Sequence, residues 1–154
     1  MLATLFVQAS AAHSAEADQQ VVCEVSSVNA AWGYQHSGVY IDPKGSIAQF
    51  NYSANDSRWT PNRGQPMTQA DLRDKYRPGN RMIGKVCPDR MIWLRDELNK
   101  VRYSPVSQPT HAAFDAGIQS TQCWMFKSES EPGQSIRLRE TGDFESHNMV
   151  IPRT

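Results

Sequence analysis

The stretch that most constrains this chain is "GVYIDPKGSIAQFNYS", residues 38–53. Two runs rich in β-branched and aromatic residues flank Pro43-Lys44-Gly45. Proline presets one turn dihedral and Gly45 supplies the left-handed one, so the stretch predicts a β-hairpin. In its first arm Val39 and Ile41 share one face, and Tyr40 and Asp42 the other. In its second arm Ala48, Phe50 and Tyr52 alternate with Ile47, Gln49 and Asn51. A hairpin of this kind commits the chain to antiparallel pairing.

The remaining segments fit around it. "VVCEVSSV", residues 21–28, is β-branched between polar neighbours and predicts a strand. Ala54 to Pro66 is a polar loop whose one large apolar residue is Trp59. Thr68 and Asp71 form a capping-box pattern ahead of a short helix in "QADLRDKY", which "RPGN" stops. "CPDRMIWLRDELNKVRY" predicts the longest helix. Pro88 suits its first turn, Asp89 its positive end, and Met91, Leu94, Leu98 and Val101 form one apolar stripe facing the sheet. "SPVSQPTHAAFDAG" is a second loop. "STQCWMFK" and "SIRLRE" predict a closing hairpin, with Ile136 and Leu138 on one side and Arg137 and Arg139 on the other. A further short strand is expected at Met149 to Ile151. Three strands, two helices and two strands give an α+β fold, with a single antiparallel sheet and two helices packed on one face.

With 154 residues the chain suits one domain. Its 16 basic and 16 acidic side chains cancel, so no global field draws it to nucleic acid. "MLATLFVQASAAHSAEA" carries no charge before Glu16 and ends in small-x-small, which predicts a signal peptide over residues 1–17 and a domain over 18–154. The basic start of such a signal is absent, which reads as a truncated leader, with a disordered Ala/Ser tail as the alternative. Val22 before Cys23 argues against a lipidation site, and no later run is long and apolar enough to span a bilayer. The expected location is therefore periplasmic or secreted, without a membrane anchor.

Cys23, Cys87 and Cys123 are the three cysteines. An exported chain with three forms one disulfide and leaves one thiol, and spacing does not select the pair. "HAAFDAGIQSTQCWMF" places His111 and Asp115 near Cys123, the residue types of a nucleophilic site. Cys123, however, sits in an apolar strand, where burial favours the uncharged thiol, and packing or a disulfide is its expected role. Cys87 precedes Pro88 at a helix start, where the dipole favours a thiolate, with Lys85 and Arg90 close in sequence. A disulfide half is the favoured alternative for it.

Binding candidates lie elsewhere. Trp32, Tyr34 and His36 in "AAWGYQHSG" read either as an aromatic binding surface or as a strand entry packing on the core. Trp59 and Arg63 in "SRWTPNRG" lie in a long loop, a common place for function. Arg73, Lys75, Arg77, Arg81, Lys85 and Arg90 form a local basic excess, read as a solvated surface, with contact to an acidic partner or phosphate as the alternative. Asp143, Glu145 and His147 match no standard metal-ligand spacing. No phosphate-cradling glycine loop or hydrolase motif occurs, so neither metal nor cofactor is expected.

"GVYIDPKG", then Asp115-Ala116-Gly117 leading into an aromatic strand, then Gly142-Asp143-Phe144 resemble a loose group of small exported bacterial proteins of unknown function. The resemblance implies an exported bacterial protein and transfers no activity. Many members of that group look lipid-anchored, and this chain departs from them there.

The expected function is non-enzymatic docking on another protein, as an inhibitor or immunity protein against a toxin or cell-wall hydrolase. A thiol-dependent hydrolase using Cys87 or Cys123 with a histidine is the enzymatic alternative. A structural accessory of the cell envelope is the third.

Overall fold

The computed structural model describes residues 19–29, 31, 33–53, 66–108 and 117–142. Among them run β1 (Gln20–Asn29), β2 (Gln35–Ile41), β3 (Ser46–Ser53), α1 (Gln69–Lys75), β4 (Arg81–Lys85), α2 (Pro88–Val101), β5 (Ile118–Phe126) and β6 (Gln134–Gly142). The strands form one open sheet in the order β4-β3-β2-β1-β5-β6, and every neighbouring pair is antiparallel.

The hairpin forms where its sequence predicts it. The Asp42 side chain accepts from the backbone N–H groups of Lys44 and Ser46 at 2.9 and 2.8 Å. Gly45 takes φ +80° to close the turn. The capping box also forms: the Asp71 N–H donates to Thr68 Oγ1 at 3.2 Å and the Thr68 N–H to Asp71 Oδ2 at 2.7 Å. Cys87 and Pro88 begin α2 as expected.

The α+β class stands, but the helices do not share a face. Val22, Phe50, Trp124 and Phe126 pack with Leu72 and Tyr76 of the α1 segment. Val21, Cys23, Cys123, Met125 and Ile136 pack instead with Leu98, Leu94 and Val101 of α2. Successive strand residues point to opposite faces. The two clusters, and hence the two helices, therefore lie on opposite sides of the sheet. The reason is in β1, where Val21, Val22, Cys23 and Glu24 are all buried. A strand buried in consecutive positions needs cover on both faces.

The expected α2 stripe holds: Leu94, Leu98 and Val101 meet the sheet, and Met91 reaches the hairpin turn at Gly45. β4 was not expected. Its five residues are bounded by Arg81 and Lys85, and its pairing with β3 shifts register at Ile47/Ala48. A short, charged, irregular strand suits a sheet edge, where it blunts pairing with other chains. The expected leader at 1–17 and the expected strand at Met149 to Ile151 lie outside the described residues.

Gly117 and Gly142 meet at the β5–β6 end of the sheet. Gly117 and Gly142 adopt φ +73° and +109°, and a Cβ on Gly142 would lie 1.9 Å from the Gly117 carbonyl oxygen. Gly142→Ala is expected to cost about 2 kcal/mol or more, through both backbone strain and backbone overlap. A urea denaturation midpoint no lower than wild type would refute this.

Candidate functional site

The face of the sheet covered by α1 holds a charge cluster that hydrophobic patterning does not suggest. Glu24 lies mid-β1, opposite Tyr40 of β2 and Gln122 of β5. It is 3% exposed, and so far from water an isolated carboxylate would not remain charged. It is instead surrounded by donors. Oε2 accepts from Lys75 Nζ, and from the Tyr76 hydroxyl at 2.7 Å. Oε1 lies 3.2 Å from His36 Nε2. A proton on that nitrogen completes the hydrogen bond, and leaves Nδ1 to accept from the Tyr34 hydroxyl 3.4 Å away.

Burial pushes the Glu24 carboxyl up, but the hydrogen bond from His36, the Lys75 charge and bonds from Lys75 and Ser26 outweigh it. The group is held at about 2. Lys75 is drawn below the usual ammonium range by its own burial, against the opposing pull of Glu24. Its ammonium also sits over the rings of Trp124 and Tyr76, 5.2 and 5.4 Å from their centroids. Lys75 is thus the exception in a basic stretch read as a solvated surface.

This cluster has no access for a substrate: Glu24, His36 and Lys75 are all buried. What it does is position. Lys75 and Tyr76, at the end of α1, are drawn onto the sheet. The Tyr76 ring then stacks on Tyr40, with centroids 3.9 Å apart and planes 9° from parallel. That stack forms part of a groove of ≈ 610 Å³ between α1 and the β2–β3 turn. Val22 and Leu72 extend its apolar floor, and Lys44, Arg73, Arg77, Asn80 and Glu129 stand at its rim.

A second concavity, of ≈ 510 Å³, lies on the opposite sheet face, among Val25, Ser27, Ser37, Gln119, Thr121, Arg139 and Thr141. It carries hydroxyl and amide groups but no nucleophile–base pair.

The expected site residues are placed as follows. Cys23 and Cys123 face each other across β1 and β5 and are joined in a disulfide. This removes Cys123 as a nucleophile. Cys87, favoured as a disulfide half, is instead a free and exposed thiol. The reason is topological: the direct β1–β5 register brings the other two cysteines together and leaves Cys87 at the exposed start of α2. His36 is 4% exposed and packs edge-on to Phe50 with centroids 5.1 Å apart, so it belongs to the core and not to a surface. Tyr34 is half-buried beside it. Trp32, Trp59, Arg63 and His111 lie outside the described residues.

Sequence reasoning missed Glu24, Lys75, Tyr40 and Tyr76. The available signal was Glu24 itself, a charge inside an otherwise apolar strand. It also missed the outward side of α2, where Ile92 and Trp93 are 48% and 55% exposed. Among the described residues, no three His, Cys, Asp or Glu side chains gather as a metal site. No helix there is long and apolar enough to cross a membrane. Comparison with models of known families, with curated proteins and with solved structures found no match.

Proposed function

We propose that this chain is an exported, non-enzymatic domain that docks on another protein, as an inhibitor or immunity protein does. The observation that carries the reading is the outer side of α2. Helical spacing puts Ile92 and Trp93 away from the Leu94–Leu98–Val101 stripe that meets the sheet. Both are exposed, flanked along the helix by Asp89, Asp96 and Lys100. A tryptophan with an aliphatic neighbour and a charged surround is the composition of an interface hot spot. A helix presenting such a face suits a partner with an apolar groove. The disulfide between buried strands supports export, because such bonds persist in oxidising compartments.

The test is affinity capture from periplasm and from competing strains, with wild type and Trp93→Ala compared. A partner retained by wild type and weakened about 30-fold or more by Trp93→Ala is the expected result. Equal retention by both moves the interface off α2. Absence of any specific partner, with envelope fragility on deletion, favours the structural accessory.

The enzymatic alternative now rests on Cys87, which is exposed and makes no capping bond through its side chain. Slow alkylation of Cys87, no faster than a free thiol in a peptide, would set that alternative aside.

A further inference from the structure

We infer that the groove beside Tyr40 and Tyr76 is a binding site for a small organic anion: a carboxylate carried on a compact apolar body. The site is separate from the outer face of α2 and does not depend on it.

Its volume of ≈ 610 Å³ lies within the range of small-molecule sites. Its floor is apolar and aromatic, made by Val22, Leu72 and the stacked Tyr40 and Tyr76 rings. That floor is held by packing and a hydrogen bond. Leu72 and Tyr76 are each 2% exposed, and the Tyr76 hydroxyl is tied to the buried Glu24. The Tyr40 hydroxyl accepts from Asn80 Nδ2 at 2.7 Å, so its own proton is directed elsewhere.

Among the lining side chains cations outnumber carboxylates by one. Lys44, Arg73 and Arg77 stand against Asp42 and Glu129. Asp42 is occupied by the turn, accepting from two backbone N–H groups. Glu129 reaches Arg73 only at 3.9 Å, with both side chains mostly exposed. Arg77 pairs with Asp74 on the exposed surface of its own segment. The Lys44 ammonium makes no ion pair with a described residue. Exposed pairs of this kind are weak and readily exchange one anion for another. Two guanidinium groups and an ammonium at the rim of an apolar floor match a head that is anionic, on a body that sheds water.

The experiment is ligand-observed NMR and calorimetric titration of the full chain. Phenylacetate and octanoate serve as probes, with phenylacetamide and inorganic phosphate as controls. Saturable binding of one acid at about 1 mM or tighter is expected, while its neutral amide fails to bind. Preference for phenylacetate or for octanoate tells an aromatic from an acyl body. Arg73→Gln with Arg77→Gln, both exposed and remote from the core, should weaken binding about tenfold or more while the melting temperature stays put. Three results would overturn the proposal: no saturable binding of either acid, binding unchanged in the double variant, or phosphate binding as tightly as both acids. The last would indicate a bare ion site without use of the floor.

Discussion

Loss of the Cys23–Cys123 bond lowers stability by roughly 3–5 kcal/mol. The two cysteines are 100 positions apart in sequence, so the bond closes most of the described fold into one loop. In the unfolded chain that loop restricts many conformations, and its removal frees them. In the folded chain the bond joins β1 to β5, two interior strands of the sheet, at directly opposite positions. Reduction of the wild type and the double replacement Cys23→Ala with Cys123→Ala should both lower the melting temperature by on the order of 10 °C or more. The double variant should fall somewhat further, because Cys123 is 1% exposed and alanine leaves a gap beside Met125 and Ile136. Cys87→Ala should leave the melting temperature within a degree or so, since that thiol is exposed and unpaired. A reduced wild type as stable as the oxidised form would show that the bond adds nothing to stability.

Replacing Lys75 by methionine produces the second large effect. Methionine retains most of the apolar stem but leaves Glu24 without its cation, at a site the structure keeps dry. Breaking such a pair from one side costs about 3–5 kcal/mol. Adding Glu24→Gln should restore part of that loss, because the amide oxygen still accepts from Tyr76 and no buried charge remains. A double variant no more stable than Lys75→Met alone would argue against the pair as the cause.

The same cluster sets the acid limit. Glu24 is held at about 2 in the folded chain against an ordinary 4.5. The folded state therefore binds this proton less readily than the unfolded state. The stabilisation is complete above about pH 4.5 and is lost as pH falls towards 2, to a total of about 3 kcal/mol. Denaturation midpoints across that window should decline in wild type. In Lys75→Met the decline should begin at higher pH, because the ammonium is one of the groups that hold the carboxyl down.

How far the site was legible follows from the range of the interactions. The turn at Pro43 to Gly45, the Thr68–Asp71 cap and the Cys87–Pro88 helix start are set by neighbours within a few residues. The α2 stripe was legible for the same reason, since helical periodicity is a local property. The Glu24 cluster joins residues 12, 51 and 52 positions apart, to His36, Lys75 and Tyr76. No local pattern reports such a pairing. The aromatic segment around Tyr34 and His36 read equally as a surface or as core, and the burial of His36 depended on which face of β2 meets α1.

By itself the sequence determined the hairpins, the caps, the alternating faces and the α+β class, because each depends on short-range dihedral preference and periodicity. Only the tertiary structure decided the rest. It paired Cys23 with Cys123, set the two helices on opposite faces, recruited "RMIGK" as an edge strand and turned a lone glutamate into a buried anchor. These outcomes depend on strand order, and strand order is fixed by which buried surfaces must be covered across the whole sheet.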